Sequence, residues 1–285
     1  MMEGTTSHYA LGSTEAEHDR LIRQAERLAP STERLFREAG IGSGQRVLDL
    51  GSGVGDVAIL AARLVGSSGE VMGIERDSRS VARARSRAAE AGFHNVRFAE
   101  CDVSQLESAA PFDAAVGRLI LQFVSDPVAV LRCLCHIVRP GGVLVFQEVT
   151  YAPLFALSSH LPLWSKSLSL LEETLQRSGA NTEVGLALHR IFLEAGFSAP
   201  TMRLEIMLGA DLDSTRWVYD ILCSLRPRVE QYNLSLQPLG DLETLPARMH
   251  SEVATSKSVV PYVALVGAWA HTGQETKLRC ETPLG

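Results

Sequence analysis

The 285-residue sequence is short of the features that mark secreted, membrane-spanning and nucleic-acid-binding proteins. Cysteine is scarce. The five present, Cys101, Cys133, Cys135, Cys223 and Cys280, are odd in number and scattered. Cys133 and Cys135 are two apart in a helical stretch, so they point to different faces and form no C-x-x-C pair. No Cys/His spacing resembles a zinc site, so no metal is expected. Reduced thiols fit a cytoplasmic protein best. No apolar run approaches the roughly 20 residues needed to span a bilayer. Residues 1–14 carry neither a basic leader nor an apolar stretch, so no signal peptide and no membrane association are expected. Basic runs are missing as well. A formal net charge of -6 argues against a groove for nucleic acid, which needs clustered Lys and Arg. Arg76, Arg79, Arg83, Arg85 and Arg87 do gather, but their spacing spreads them around a helix and predicts a solvated surface. Internal repeats and low-complexity tracts are absent.

What is present is an ordinary globular balance, 46% hydrophobic and 21% charged. The length suits one α/β domain with helical additions and a sizeable core. Residues 16–39 carry apolar side chains at helical spacing, interrupted at Pro30. Strands are expected at 46–50, 70–75, 96–100, 112–117 and 143–149. Helices are expected at 78–91, ending at Gly92, and at 127–138, stopped by Pro140-Gly-Gly142. This alternation predicts a doubly wound, Rossmann-like sheet with helices on both faces. Beyond Val149 the pattern changes. Helices are expected at 161–177 and 183–195, a half-buried strand at 200–208, and polar helices across 211–256 broken by Pro227, Pro238 and Pro246. A final β-rich run covers 259–268. The expected organisation is a helical arm at 1–44, a sheet core at 45–150, and a C-terminal half at 151–285 that completes the sheet. Segments 150–181 and 209–258 are extra to the sheet-building pattern and are expected to cap the site and form an acceptor pocket.

The segment Val47-Leu-Asp-Leu-Gly-Ser-Gly-Val-Gly-Asp56 carries the chemistry. A strand ends, the chain turns through Gly51, Gly53 and Gly55, and a helix begins. Glycine permits positive φ and lets a ligand approach bare backbone, and the first N–H groups of the helix face that ligand. The dinucleotide fingerprint G-x-G-x-x-G wants a third glycine at position 56, which is Asp56. The actual pattern is G-x-G-x-G behind an acidic residue, Asp49.

That pattern resembles the first motif of the class I S-adenosylmethionine-dependent methyltransferases of small-molecule type. In that family the turn holds the methionine part of the cofactor, with no pyrophosphate to fit. Other pieces fall where the family has them. Glu75 closes the second strand, 20 residues beyond Gly55, and its carboxylate can accept from both ribose hydroxyls. Arg76 follows it. Asp102, beside Val103, occupies the usual place for adenine contacts. Phe112-Asp113 opens the fourth-strand motif, and Arg139-Pro-Gly-Gly142 leads into the fifth strand. The resemblance is strong over about residues 40–150 and weaker up to the last strand. It implies S-adenosylmethionine as cofactor and an antiparallel last strand. A nicotinamide dehydrogenase would share Glu75, but this sequence lacks the third glycine of its fingerprint.

Further residues are open to more than one reading. Tyr9, ahead of the first helix, either covers the cofactor, in its own chain or in a second subunit through an exchanged arm, or is a packing tyrosine. Arg118 lies at the carboxyl edge of the sheet, where ligands bind. It holds an anionic substrate group, contacts the cofactor carboxylate, or pairs with a cap carboxylate. Glu148 ends the fifth strand, as a general base, a grip on the acceptor, or a structural hydrogen-bond partner. Gln147 precedes it at the same edge. His160, His189, His250 and His271 are expected at the surface, with a general base among them as the alternative. Trp164, Trp217 and Tyr219 either line the acceptor pocket or are core. Gly117-Arg-Leu-Ile-Leu-Gln122 replaces the Asn/Asp-Pro-Pro-Tyr/Phe signature of many enzymes that methylate amino groups of DNA and protein. The expectation is methylation of a small molecule at O, N or C, in a biosynthetic pathway. The alternatives are a cyclase or pericyclase that keeps its cofactor intact and a non-catalytic cofactor-binding partner.

Overall fold

The computed structural model describes residues 11–102, 105 and 110–273. Seven strands form one sheet: β1 Arg46–Leu50, β2 Glu70–Glu75, β3 Val96–Glu100, β4 Phe112–Arg118, β5 Val138–Val149, β6 Thr201–Gly209 and β7 Val260–His271. Their spatial order is β3-β2-β1-β4-β5-β7-β6. The pairs β1–β2, β1–β4, β2–β3 and β4–β5 are parallel. β5 and β7 run antiparallel, from Val143 opposite His271 to Val149 opposite Leu265. This is the doubly wound, mostly parallel sheet that the alternation predicts, with the antiparallel last strand that the family resemblance implies. Central strands read as continuous apolar runs because both faces are covered.

Nine helices are described: α1 Glu15–Glu38, α2 Asp56–Val65, α3 Ser78–Glu90, α4 Pro127–Ile137, α5 Ala152–Ser158, α6 Pro162–Arg177, α7 Val184–Glu194, α8 Leu212–Gln231 and α9 Leu245–Thr255. Contacts divide the described chain into two units, residues 18–149, 183–205 and 265–273 in one, and 11–17, 150–182 and 206–264 in the other. In the first unit the pleat sends alternate strand residues to opposite faces. Val47, Val71, Val116 and Val145 meet Leu35 and Phe36 of α1, Ala58 and Leu60 of α2, and Ala84 of α3. Leu48, Ile74, Ala115 and Phe146 meet Leu131 and Leu134 of α4 and Leu188 and Phe192 of α7.

Three proline readings need correction. Pro30 does not interrupt α1, which is continuous. An interior proline costs a helix about 3 kcal/mol. Here burial of Leu28, Leu35 and Phe36 on one face offsets that cost. Pro227 likewise lies inside α8, while Pro246 sits in the first turn of α9, where its missing N–H has no helical partner to lose. Pro140-Gly-Gly142 does not stop α4. The helix ends at Ile137 and β5 begins at once, its register against β4 shifting between Phe112 and Ala114.

The second unit has its own core. Trp164 of α6 packs edge-on against Trp217 of α8, 5.9 Å between ring centres, and Trp217 packs on Tyr262 at 5.8 Å. The Trp217 indole donates to the Pro261 carbonyl at 3.1 Å. Leu161, the residue ahead of α6, has no side chain able to cap it. The Glu252 carboxylate from α9 does so instead, accepting from the Leu163 and Trp164 amides at 2.7 and 2.9 Å. Glu252→Ala should therefore destabilise this unit by about 1–2 kcal/mol, as loss of a helix cap does. Urea denaturation checks this, and an unchanged midpoint would show that the cap contributes nothing.

Candidate functional site

Gly51, Gly53 and Gly55, after β1, hold φ values of 65°, 51° and 90°. Each lies in the left-handed region, which costs an L residue about 1–2 kcal/mol. Space separates the three. A Cβ on Gly51 would lie 2.5 Å from Ile120 Cδ1, and one on Gly55 would lie 3.0 Å from Ala84 Cβ and Phe98 Cζ. A Cβ on Gly53 would meet nothing within 4 Å. The middle glycine faces open space, and its neighbours are walled by protein. Gly55 also precedes α2 without a capping side chain.

Glu75 binds the turn itself. Its carboxylate accepts from Gly53 N at 3.0 Å, Arg76 N at 2.7 Å and Asp77 N at 3.0 Å. On the far side, Arg87 of α3 donates to the Val54 carbonyl at 2.6 Å and pairs with Asp56 at 2.7 Å. Arg87 and Arg85, which donates to the Phe98 carbonyl, are thus structural fasteners. The expectation of a solvated surface fails for Arg87, whose side chain is 19% exposed, while Arg85 is exposed as expected; helical spacing cannot reveal the backbone carbonyls that either reaches.

Asp49 of β1 is 1% exposed, and neither carboxylate oxygen reaches hydrogen-bonding geometry with a protein donor. Burial pushes its carboxyl well above the usual range, against the opposing Arg118 charge and the nearby Ala58 amide. The Ser52 hydroxyl is also buried without a partner. Buried polar atoms are nearly always satisfied, so these atoms call for a ligand or ordered water.

The remaining predicted residues share this edge. Sheet register sets Asp49 opposite Val116, Leu50 opposite Gly117, and Arg118 opposite Gln147. Glu75 is level with Glu100, two residues before Asp102, whose carboxylate forms an ion pair with Arg76. Arg118 donates to Thr32 Oγ1 at 3.0 Å. The Thr32 hydroxyl meets Gln147 Oε1 at 2.7 Å, and Gln147 Nε2 donates to Ser31 at 3.0 Å. Glu148, fully buried at the end of β5, accepts through Oε1 from the Ile120 and Leu121 amides at 3.0 and 2.9 Å. Burial raises its pKa to about 7, with the backbone donors opposing. Tyr9 and Val103 lie outside the described residues.

Sequence reasoning missed Thr32, Ser52, Ile120 and the role of Arg87. For Thr32 a signal existed, since it is a polar residue on the buried stripe of α1 with Leu28, Leu35 and Phe36. Ile120 and Arg87 depend on contacts between elements distant in sequence, whereas Ser52 lies within the glycine turn and is singled out only by burial without a partner.

Among described residues no His, Cys, Asp and Glu group suits a metal ion, and no helix is long and apolar enough to cross a membrane. A parallel sheet with a glycine turn after β1, a carboxylate closing β2 and a switch in strand order between β1 and β4 defines a Rossmann-like cofactor-binding protein. Residues 41–195 match the family described as Methyltransferase domain. The chain belongs to that family, whose class I members use S-adenosylmethionine. It is 37% identical over 114 residues to an arsenite methyltransferase of Aquipseudomonas alcaligenes, covering 37% of this chain and 33% of the relative. It is 35% identical over 108 residues to a ubiquinone biosynthesis O-methyltransferase of Paracidovorax citrulli, covering 37% and 44%. The chain spans less than half the length of the curated relatives it matches. In fold it is similar to the YcgJ protein of Bacillus subtilis, with a TM-score of 0.57 at 15% identity, covering 86% of this chain and 98% of that one.

Proposed function

We propose that this chain transfers a methyl group from S-adenosylmethionine to a small-molecule acceptor. The observation that carries the reading is the open Gly53 flanked by the unpartnered buried oxygens of Asp49 and Ser52. Bare backbone beside a buried carboxylate suits a ligand that brings both donors and positive charge. A dinucleotide fits poorly, because Asp56 stands where the dinucleotide fingerprint has its third glycine for close helix–strand packing, and the Asp56 carboxyl is already paired with Arg87. The relatives named above carry names that refer to small acceptors, which supports the same class of substrate here.

When bound, the cofactor supplies a methyl group already activated by a sulfonium charge. This chain's residues then have binding and alignment to perform. Gly53 keeps the approach clear, Gly51 and Gly55 let the turn pack on Ile120, Ala84 and Phe98, and Asp49 and Ser52 offer acceptors. Glu75 takes the ribose hydroxyls and Asp102 the adenine amine. Arg118, held by Thr32, contributes positive charge at the same edge. Aligning the reactants and excluding water supplies most of the rate such a displacement needs. In this reading segments 150–181 and 209–258 select the acceptor. The cell compartment is the cytoplasm.

The cofactor assignment is tested by calorimetric titration with S-adenosylhomocysteine and with NAD. Saturable binding of the first and none of the second is expected. Tight NAD binding would overturn the assignment. Glu75→Ala should weaken S-adenosylhomocysteine binding about 10–100-fold, the worth of a charged hydrogen bond at ~1.5–3 kcal/mol. Wild-type affinity in that variant would remove Glu75 from the site.

A further inference from the structure

The glycine turn is braced from a direction its own hydrogen bonds do not supply. Ile120 lies directly against Gly51, and its Cγ2 would lie 2.9 Å from a Cβ on Gly117. Its position depends on Leu119, which holds φ at 56°, a left-handed conformation that a leucine keeps only when its surroundings fix it. Two neighbouring residues of β5 do this. The Leu119 amide donates to the Gln147 carbonyl at 3.0 Å. The next two amides, of Ile120 and Leu121, both donate to Oε1 of Glu148 at 3.0 and 2.9 Å. Glu148 has no solvent exposure, and its second oxygen makes no hydrogen bond. The oxygen that accepts is committed to backbone, which suits a fastener. A general base needs an oxygen within hydrogen-bond reach of the acceptor's proton.

We propose that Glu148 is a positioning residue, which clamps the Ile120 and Leu121 amides and so fixes Ile120 against Gly51 and sets the shape of the cofactor turn. This rests on the methyltransferase reading of that turn. A carboxylate suits the clamp because it accepts two N–H groups through one oxygen while the strand carries it into the core. The raised pKa of Glu148 follows from that burial and does not require a role in proton transfer.

The clamp is tested first without cofactor, by amide hydrogen exchange on the whole protein. In Glu148→Ala, protection of the Ile120 and Leu121 amides should drop at least about tenfold relative to neighbouring β4 and β5 amides, while Glu148→Gln, which keeps a carbonyl acceptor, should retain it. Unchanged protection in the alanine variant would overturn the proposal. Titration with S-adenosylhomocysteine then reads the relay. Glu148→Ala and Ile120→Ala should each weaken binding about tenfold, with no further loss in the double variant, and Glu148→Gln should restore most of it. Ile120→Ala keeps the clamp itself, so it remains informative if Glu148→Ala fails to fold. Full additivity would break the relay. If Glu148→Gln instead keeps protection and affinity but loses turnover by orders of magnitude, Glu148 is a base and the proposal fails. If the wild type binds no S-adenosylhomocysteine, the functional reading fails, and the exchange measurement still decides the clamp.

Discussion

Gly53→Arg should fold as the wild type does and lose more than about a hundredfold, ~2.7 kcal/mol, in affinity for S-adenosylhomocysteine. The two halves of that expectation come from one observation. A side chain at Gly53 meets no protein atom within 4 Å, so the fold loses only the strain of an L residue at φ 51°. The space it enters is the approach to the turn. Gly55→Ala should behave in the opposite way, because its Cβ presses on Ala84 and Phe98 at 3.0 Å and the damage falls on packing between the turn, α3 and β3. Thermal unfolding beside calorimetry separates the cases. Wild-type affinity in Gly53→Arg would place the ligand elsewhere.

The second large effect is on stability, and its sign is set by burial. Asp49 and Glu148 both hold their protons more tightly folded than unfolded, with Glu148 raised from 4.5 to about 7. Below the ordinary carboxylate pKa of about 4 both states are neutral and burial carries no charge penalty. As pH rises, the unfolded chain ionises first and gains an advantage, so folded stability falls through the window that ends at the folded pKa. For Glu148 that window runs from about 4.5 to about 7 and amounts to roughly 3 kcal/mol. Asp49→Asn removes a buried carboxyl that resists ionisation in the folded protein. In the cofactor-free protein it should be stabilising at about pH 8 and nearly neutral at about pH 4. The same change should weaken cofactor binding at least about tenfold, since the ligand loses its anionic partner. Differences between wild type and variant cancel the many other carboxylates. A difference that does not grow with pH would show that folding does not raise the Asp49 pKa, and unchanged cofactor affinity would remove it from the site.

The sheet was legible because its signals are local. The central strands are short apolar runs, and Asp49, Gly51, Gly53, Gly55 and Glu75 are spaced by the strand–turn–helix geometry that one crossover imposes. Proline was misread where tertiary burial overrides propensity. Pro30 and Pro227 sit inside helices whose buried faces hold them in place. The working parts of the site were harder to see. Glu148 could be placed at the binding edge by its register, but its partners Ile120 and Leu121 are 28 and 27 residues away. The Thr32–Gln147 contact spans 115 residues. Neither has a sequence pattern, because the chain closes these contacts only after the sheet is built. Acceptor selection was the least legible, since methyl transfer to an aligned acceptor imposes no fixed catalytic signature.

The measurement that meets the central claim most directly is turnover of S-adenosylmethionine carrying an isotopically labelled methyl group, with the whole protein and a mixed pool of small metabolites. The account predicts S-adenosylhomocysteine formation matched by label in a small-molecule product, both abolished by Gly53→Arg. Cofactor bound and recovered intact while no acceptor gains label would contradict it.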